Sequence, residues 1–562
     1  MHHMNRRFSS IACSLLIAAI TVLSLRGSHG QQILSEWPGM SAPTGSVPPD
    51  PHGAVGPNGV LQTVNTSIQY WDKTGGTNWG PVSFAAFWAS AGNSGQGNAD
   101  AKVLFDQRSG RFYVLIQENN RTTLRSFMNV AVSKTSHPAT STADDWFLYR
   151  MDITAVRSGV NYGGDYPGFA VDGQAIYVTF NMFQLTASGF TGPPWNAQIL
   201  IINKADAGRG TLTVSRMFGP DIGTGLLGSL VPVGVSRGNG PGNKAYFVQV
   251  TLPVAIALWV VTDPLGAPLL RVPAIMPVPP NGGIPNPPGG DAPQSGTSVL
   301  LDTIGEELKA QGNAVWVDDS IWFCYTGGSV DGVTSTRSRV YYYQIYPNDT
   351  ESGSLPLWGV PNLQDAGYID GGTDVWTFQP ALGANDCGDL CLVYTQSSSN
   401  TFPSIRSAIR LRGATTFGTP FVVKTSPTFY NGTQAPGRPT NVARWGDYAN
   451  VCQDPVDGTF WVTHEWARSS AVNDWGTWWA RIGVTRRDVY VDNALVCSFE
   501  TGQRNCTPLT LAGPYKHVLD GVNATSCGDA VNIRAGSYNE QFTINRPVRL
   551  RSYDGVATVG RP

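Results

Sequence analysis

Four aspartates stand in matching places along the chain: Asp50 before "PHGAVG", Asp100 before "AKVLF", Asp165 before "YPGFAV" and Asp447 before "YANV". Gln379 before "PALG" and Asn313 before "AVWV" hold the same kind of position, and Gly-Asp-Tyr occurs twice, at Gly164–Tyr166 and Gly446–Tyr448. Carboxylates gathered at one rim have two chemistries open to them. They can ligate Ca²⁺, which takes about six to eight oxygens. They can also divide the work of glycoside hydrolysis as acid and base or nucleophile. Asp165, Asp447, Glu465 and Tyr448 are the candidates for catalysis. Arg444, Trp445, His464, Asp50, Asp100 and Gln379 are the candidates for holding substrate, with Arg444 as a carboxylate clamp and Trp445 as a platform for a sugar face. Each has a plainer reading. An Asp at a loop-to-strand junction accepts backbone N–H bonds and fixes a turn, Trp445 packs a core, and His464 is a satisfied strand histidine.

Whether these residues meet depends on the elements that carry them. An apolar strand, a polar turn and a second strand rich in Val, Ile, Phe, Tyr and Trp recur along the chain, the pattern of a β-hairpin. The copies begin at Ala54, Val103, Phe169, Gly234, Ala314, Ala381 and Ala449. Further strand-like pieces lie between them, such as "SIQYWDK", "NAQILIINK", "RVYYYQIYP" and "SAIRLRG". A repeat longer than a hairpin suits a four-stranded unit, and such units bury their faces by stacking around an axis. The expectation is a seven-bladed β-propeller over residues 31–487, with the aspartates at one end of its channel. A β-sandwich pair with coincidental hairpins is the alternative.

Segments such as "PPDPHGAVGPNGVLQTVN", "AKVLFDQRSGRFYVLIQ", "DYPGFAVDGQAIYVTFN" and "RWGDYANVCQDPVDGTFWVTHEW" resemble exported bacterial proteins of the sialidase-like β-propeller superfamily. The resemblance runs from about Pro48 to Val484. It implies a propeller, and an exo-sialidase-like glycoside hydrolase as one activity. Sialidases carry an arginine triad, a Tyr and Glu nucleophilic pair, an Asp acid/base and repeated Asp boxes. Arg444, Tyr448 and Glu465 have matching residue types, while Asp474-Trp475-Gly476-Thr477-Trp478 comes within one residue of an Asp box, with no second copy. The tail over residues 488–562 resembles the opening rungs of a right-handed parallel β-helix of the pectate-lyase type, short of the ~3 repeats such a core needs.

Composition limits the remaining choices. With 64 Gly and 39 Pro the chain is rich in turns, and 17 Trp with 20 Tyr supply enough apolar surface to order it. Residues 1–30 read as a signal peptide: Arg6 and Arg7, an apolar run from Ile11 to Leu25, then small residues before Gln31. The run is shorter than the ~20 residues of a spanning helix, so no membrane span is expected after cleavage. Loss of three arginines and no acid moves the formal charge from −2 to −5, which argues against a nucleic-acid partner and leaves a carbohydrate or glycoconjugate. Cys387/Cys391 and Cys497/Cys506 are spaced to close small disulfide loops in an oxidising compartment. No HExxH or phosphate-binding loop occurs. The expected protein is a secreted carbohydrate-active propeller, either a glycoside hydrolase or a non-catalytic, calcium-dependent glycan- or protein-binding one.

Overall fold

A computed structural model describes residues 30–41, 47–221, 229–235, 240–251, 255–271, 273–277, 290–303, 314–328, 337–348, 361–495, 497, 499–505, 512–525, 527–544 and 547–560. The proposed signal peptide, apart from Gly30, and Asn313 lie outside these residues. The fold is β-rich. Its organising strands are β1 (Gln31–Ser41), β2 (His52–Val55), β3 (Asn98–Asp106), β4 (Val160–Val171), β5 (Val231–Val235), β6 (Ala314–Val317), β7 (Trp376–Ala384) and β8 (Asn450–Gln453). Strands β2 to β8 each begin an antiparallel meander whose later strands lie progressively farther from them in hydrogen-bond order. Thus β2 leads into Gly59–Val64, Ser67–Asp72 and Thr77–Ser83, and β3 into Arg111–Asn120, Arg125–Ser133 and Trp146–Asp152.

The leading strands touch in a closed cycle, β2 with β3, β3 with β4, and so on through β8 back to β2. Residues from all of them line one axial cavity of about 130 Å³, with Ala54, Gly234, Ala314 and Gly383 providing small side chains where the strands converge. This is a β-propeller. The last meander continues through β9 (Phe460–Ala467) and β10 (Trp475–Val484), and its fourth strand is β1, from the other end of the described chain. Gln31 faces Val484 and Trp37 faces Trp479 across that pair. Joining the two ends in one sheet closes the ring and protects an otherwise open edge.

The hairpins form where an Asx side chain fixes the turn. Asp106 accepts from Ser109 N, Asp172 from Gln174 N and Ala175 N, Asn385 from Cys387 N and Asp389 N, and Asp454 from Val456 N. Such side chains mimic a backbone turn. Burial then follows from β-branched and aromatic residues on both faces of the inner strands, as in the cluster of Tyr113, Leu115, Val130, Phe169, Ile176 and Val178 shared by neighbouring sheets.

After β10 the chain changes style. Strands β11 (Asp488–Val491), β12 (Ala530–Tyr538) and β13 (Arg549–Val559) pair in parallel, with a core of Val491, Val518, Val522, Val531, Ile533 and Tyr538. Cys387 bonds to Cys527, 140 residues away. The expected Cys387/Cys391 loop is therefore corrected: Cys391 is a buried free thiol inside its strand, and the Asx turn at Asn385 directs Cys387 toward the C-terminal module instead. Cys497 is disulfide-bonded, and Cys506 lies outside the described residues. Among the described residues no helix is long and apolar enough to cross a membrane.

Candidate functional site

The leading strands share a defect at their first residues. Register breaks between Ala99 and Lys102, between Asp165 and Gly168, and between Phe378 and Ala381. The residue just inside each break has positive φ: Asp100 at 57°, Tyr166 at 53° and Gln379 at 49°, with Asp50 at 48° ahead of β2. Non-glycine residues rarely adopt this conformation, and bulges that impose it re-aim side chains near functional sites. Asp100, Tyr166, Gln379 and Tyr448 each stand six residues ahead of the Asx-turn residue that ends their strand. Tyr166 and Tyr448, not Asp165 and Asp447, are therefore the counterparts of Asp100, and the two aspartates sit one place earlier.

The structure brings the aspartates together around one phenol. Tyr448 is buried; burial first, and then the negative charges of Asp100, Asp447, Asp50 and Asp165, push its pKa well above the ordinary tyrosine value. Its hydroxyl donates to Asp100 Oδ2 at 3.4 Å, and Lys102 Nζ stands 2.9 Å from its ring centroid. Asp50 Oδ1 accepts from Asp447 N at 2.6 Å and Asp50 Oδ2 from Asn65 Nδ2 at 2.6 Å. Asn65 Oδ1 accepts from Asp100 N at 2.7 Å, so one amide joins two carboxylate-bearing loops. Asp165 is half-buried and accepts from Gln117 Nε2 at 2.7 Å.

Charge is divided unevenly within this cluster. Arg444 holds Asp447 through both guanidinium ends, one at 2.7 Å, and approaches Asp302 at 3.6 Å. Burial works against the arginine's charge, but Asp447, Asp50 and Asp302 more than offset it and hold the guanidinium protonated. Asp50 is pushed the other way, to about 7, by burial and then by its neighbours Asp447 and Asp100. Glu465 is also pushed well above the carboxylate range, chiefly by burial, while its Oε2 accepts from Gly446 N at 2.8 Å. Too few cations are present to keep every acid ionised, so the deepest ones hold their protons.

Other candidates take different parts. His464 is fully buried: its Nδ1 accepts from Glu465 N at 2.8 Å, so Nε2 carries the proton, 3.0 Å from Gln379 O and 3.1 Å from Thr395 Oγ1. Burial lowers its pKa to about 4 and keeps it neutral. With both nitrogens engaged by protein it braces β7 and has no atom left for substrate. Trp445 is likewise fully buried, with its ring edge-on to Tyr430 at 5.0 Å, and offers no face to a sugar. Arg444, bound to two aspartates, reaches no exterior carboxylate in this arrangement. The Ca²⁺ expectation meets a similar obstacle. Among the described residues no group of three or more His, Cys, Asp or Glu is placed to hold a metal, and Asp447 is already neutralised by Arg444.

Three buried polar atoms stay open. Both amide atoms of Gln379 and Oε1 of Glu465 are buried without a hydrogen-bond partner among the described residues, a condition that folded proteins rarely tolerate without a water, a ligand or a function to explain it. Asn65, Lys102, Asp302 and Gln117 escaped the sequence reading. A usable signal existed: the second strand of each hairpin returns toward the mouth and ends in polar residues, as in "VLIQENN", "VYTQ" and "VTHE".

No protein-family profile matches this chain, and no curated protein matches it in sequence. Solved structures do resemble it at low identity. A Trypanosoma rangeli sialidase mutant displaying trans-sialidase activity is 9% identical over 74% of this chain and 57% of its own, with a TM-score of 0.31. This chain therefore spans little more than half of that protein. A Dyadobacter fermentans protein of unknown function is 10% identical over 69% of this chain and 95% of its own, with a TM-score of 0.36. Bacillus subtilis arabinanase is 11% identical over 66% of this chain and 96% of its own, with a TM-score of 0.27. The propeller rests on the chain's own strand order, not on these likenesses.

Proposed function

We propose that this chain is an exported, seven-bladed propeller that acts on carbohydrate as a glycoside hydrolase through the carboxylates at its mouth, with residues 488–562 forming the opening rungs of a right-handed parallel β-helix. The observation that carries the chemistry is a pair of carboxyl groups one residue's hydrogen bond apart and held in different environments, one against a guanidinium and one without. Asp447 is paired with the Arg444 guanidinium, and burial and then Asp447 itself push the Asp50 carboxyl up to about 7. Environments that push two acids apart in this way assign them as base or nucleophile and as proton donor. Asp165 is the half-buried member, and Tyr448 and Glu465 complete the cluster. The leader over residues 1–30 and the disulfide both fit an oxidising destination.

A second reading has its own observation. Asp50, Asp447 and Glu465 keep at most 2% of their surface exposed, which suits a network that ties blades together while the rim binds a glycan or protein without chemistry. One experiment separates the two: purified mature protein is screened on fluorogenic glycosides and polysaccharides, with and without chelator, beside Asp447→Asn with its fold checked by circular dichroism. Hydrolysis requires turnover that the folded variant lacks. Glycan retention without turnover, unchanged by Asp447→Asn, supports the binding reading.

A further inference from the structure

A second polar cavity lies away from the mouth, where the closing sheet meets the C-terminal parallel sheet. Its volume is about 320 Å³, at the lower end of the range of roughly 300–1,000 Å³ common for small-ligand sites. The propeller side contributes β10, the turn after β8 and the start of β1, and the other side contributes the start of β11 and of β13. Leu34, Phe460 and Ile482 give it apolar lining. Four arginines line it as well, Arg481, Arg486, Arg549 and Arg551, against the carboxylates of Asp457 and Asp488.

The arginines are not equally committed. Arg481 pairs with Asp457 and donates Nε to Thr459 Oγ1 at 3.1 Å. Arg486 donates to Asp389 Oδ2 at 2.8 Å and to the Cys527 carbonyl at 2.9 Å. Among the described residues Arg549 makes no ion pair: its Nη2 donates to Gly528 O at 3.1 Å, and its buried Nε has no partner there. Arg551 approaches Asp488 only to 3.9 Å, with 51% of its side chain exposed. A buried guanidinium donor with no acceptor costs free energy that a bound anion would return. The two walls are also fixed in register, because Arg486 and Arg549 hold successive carbonyls, those of Cys527 and Gly528, and Cys527 is tied to Cys387.

We propose that this seam binds a carboxylate-bearing sugar unit of an acidic glycan, with Arg549 and Arg551 receiving the carboxylate. The planar fork of a guanidinium matches a carboxylate, and Arg549 lines the cavity with a donor that no described residue uses. The sugar rests on the carbohydrate reading above; the negative charge rests on the arginines alone. It makes the seam an anchoring subsite, separate from the carboxylates of the mouth.

Isothermal titration of the full mature chain tests it, with trigalacturonate, a neutral galactose trisaccharide and inorganic sulfate as probes. Trigalacturonate binds, more weakly as salt rises, and Arg549→Gln with Arg551→Gln weakens it at least about tenfold, the value of a charge-assisted hydrogen bond or more. The neutral trisaccharide and sulfate bind at least about tenfold less tightly. The proposal is overturned by no trigalacturonate binding, by equal binding of the neutral sugar, by sulfate binding as tightly, or by an unaffected double variant. Asp447→Asn distinguishes the two sites: loss of turnover with seam binding retained keeps both readings. Seam binding in a protein that hydrolyses nothing keeps this one and removes the other.

Discussion

At the mouth of the propeller Asp50, Asp447 and Glu465 have at most 2% of their surface in contact with water, whereas at the seam Arg551 leaves 51% of its side chain exposed. The mouth holds an excess of acids and settles it by protonation and by one buried arginine. The seam holds an excess of arginines and leaves part of it toward solvent. Burial raises the energetic cost of every uncompensated charge, so the mouth should show itself in stability and its pH dependence. Screening by water and ions makes the seam weak in stability and responsive to salt in binding.

The largest expected effect lies at the mouth. Arg444→Ala leaves the buried Asp447 without its cation, while Asp302 keeps Arg438 at 3.3 Å, and urea unfolding at neutral pH should report a loss of about 3–5 kcal/mol. A loss below about 1 kcal/mol would place that ion pair in water, against the comparison. Next comes the link to the seam. Cys387–Cys527 closes a loop of 140 residues, and Cys527→Ser should destabilise the C-terminal module by roughly 2–4 kcal/mol. Limited proteolysis should then cut within 488–562 first while the ring resists; simultaneous cleavage of both would show that the ring depends on the module.

A smaller effect follows from titration. Asp50 is raised from 3.8 to about 7, so its stabilising contribution is complete at low pH and is lost as pH rises through that window. His464 is lowered from 6.5 to about 4 and works in the opposite sense, losing its contribution as pH falls through its own window. Asp50→Asn should remove the first slope and leave that of His464 together with that of Glu465, which is raised like Asp50, so between about pH 4 and 7 the variant's stability, measured by thermal unfolding, falls less with rising pH than the parent's. A variant curve parallel to the parent's would refute the assignment. The smallest effect is expected for Glu465→Gln. Since the parent side chain keeps its proton, an isosteric amide should change stability by less than about 1 kcal/mol at neutral pH, and a larger loss would mean that Glu465 is ionised.

Much of the ring was legible because it repeats. The starts of the hairpins at Ala54, Val103, Phe169, Gly234, Ala314, Ala381 and Ala449 all fall in or at the edge of β2 to β8, and period-two alternation with Asx turns is a local signal. The convergence of Asp50, Asp100 and Asp447 followed from the same repeat. What stayed hidden depends on geometry that sequence does not carry. The positive φ at Asp100, Tyr166 and Gln379 shifts the frame by one residue, so Gly-Asp-Tyr aligns on its tyrosine. Trp445 and His464 have residue types that serve a sugar site or a core equally well, and only their burial decides. Cys387 has Cys391 four residues away and Cys527 far off in sequence, yet strand direction keeps the near pair apart.

The claim beneath all of this is that one fold keeps neighbouring mouth carboxyls in different protonation states. Infrared difference titration of the carboxyl C=O band tests it directly. The parent should keep protonated carboxyl signal above the ordinary range of about pH 5, with one component that fades near pH 7 and is missing in Asp50→Asn. Loss of all such signal below about pH 5, alike in parent and variant, would contradict the account.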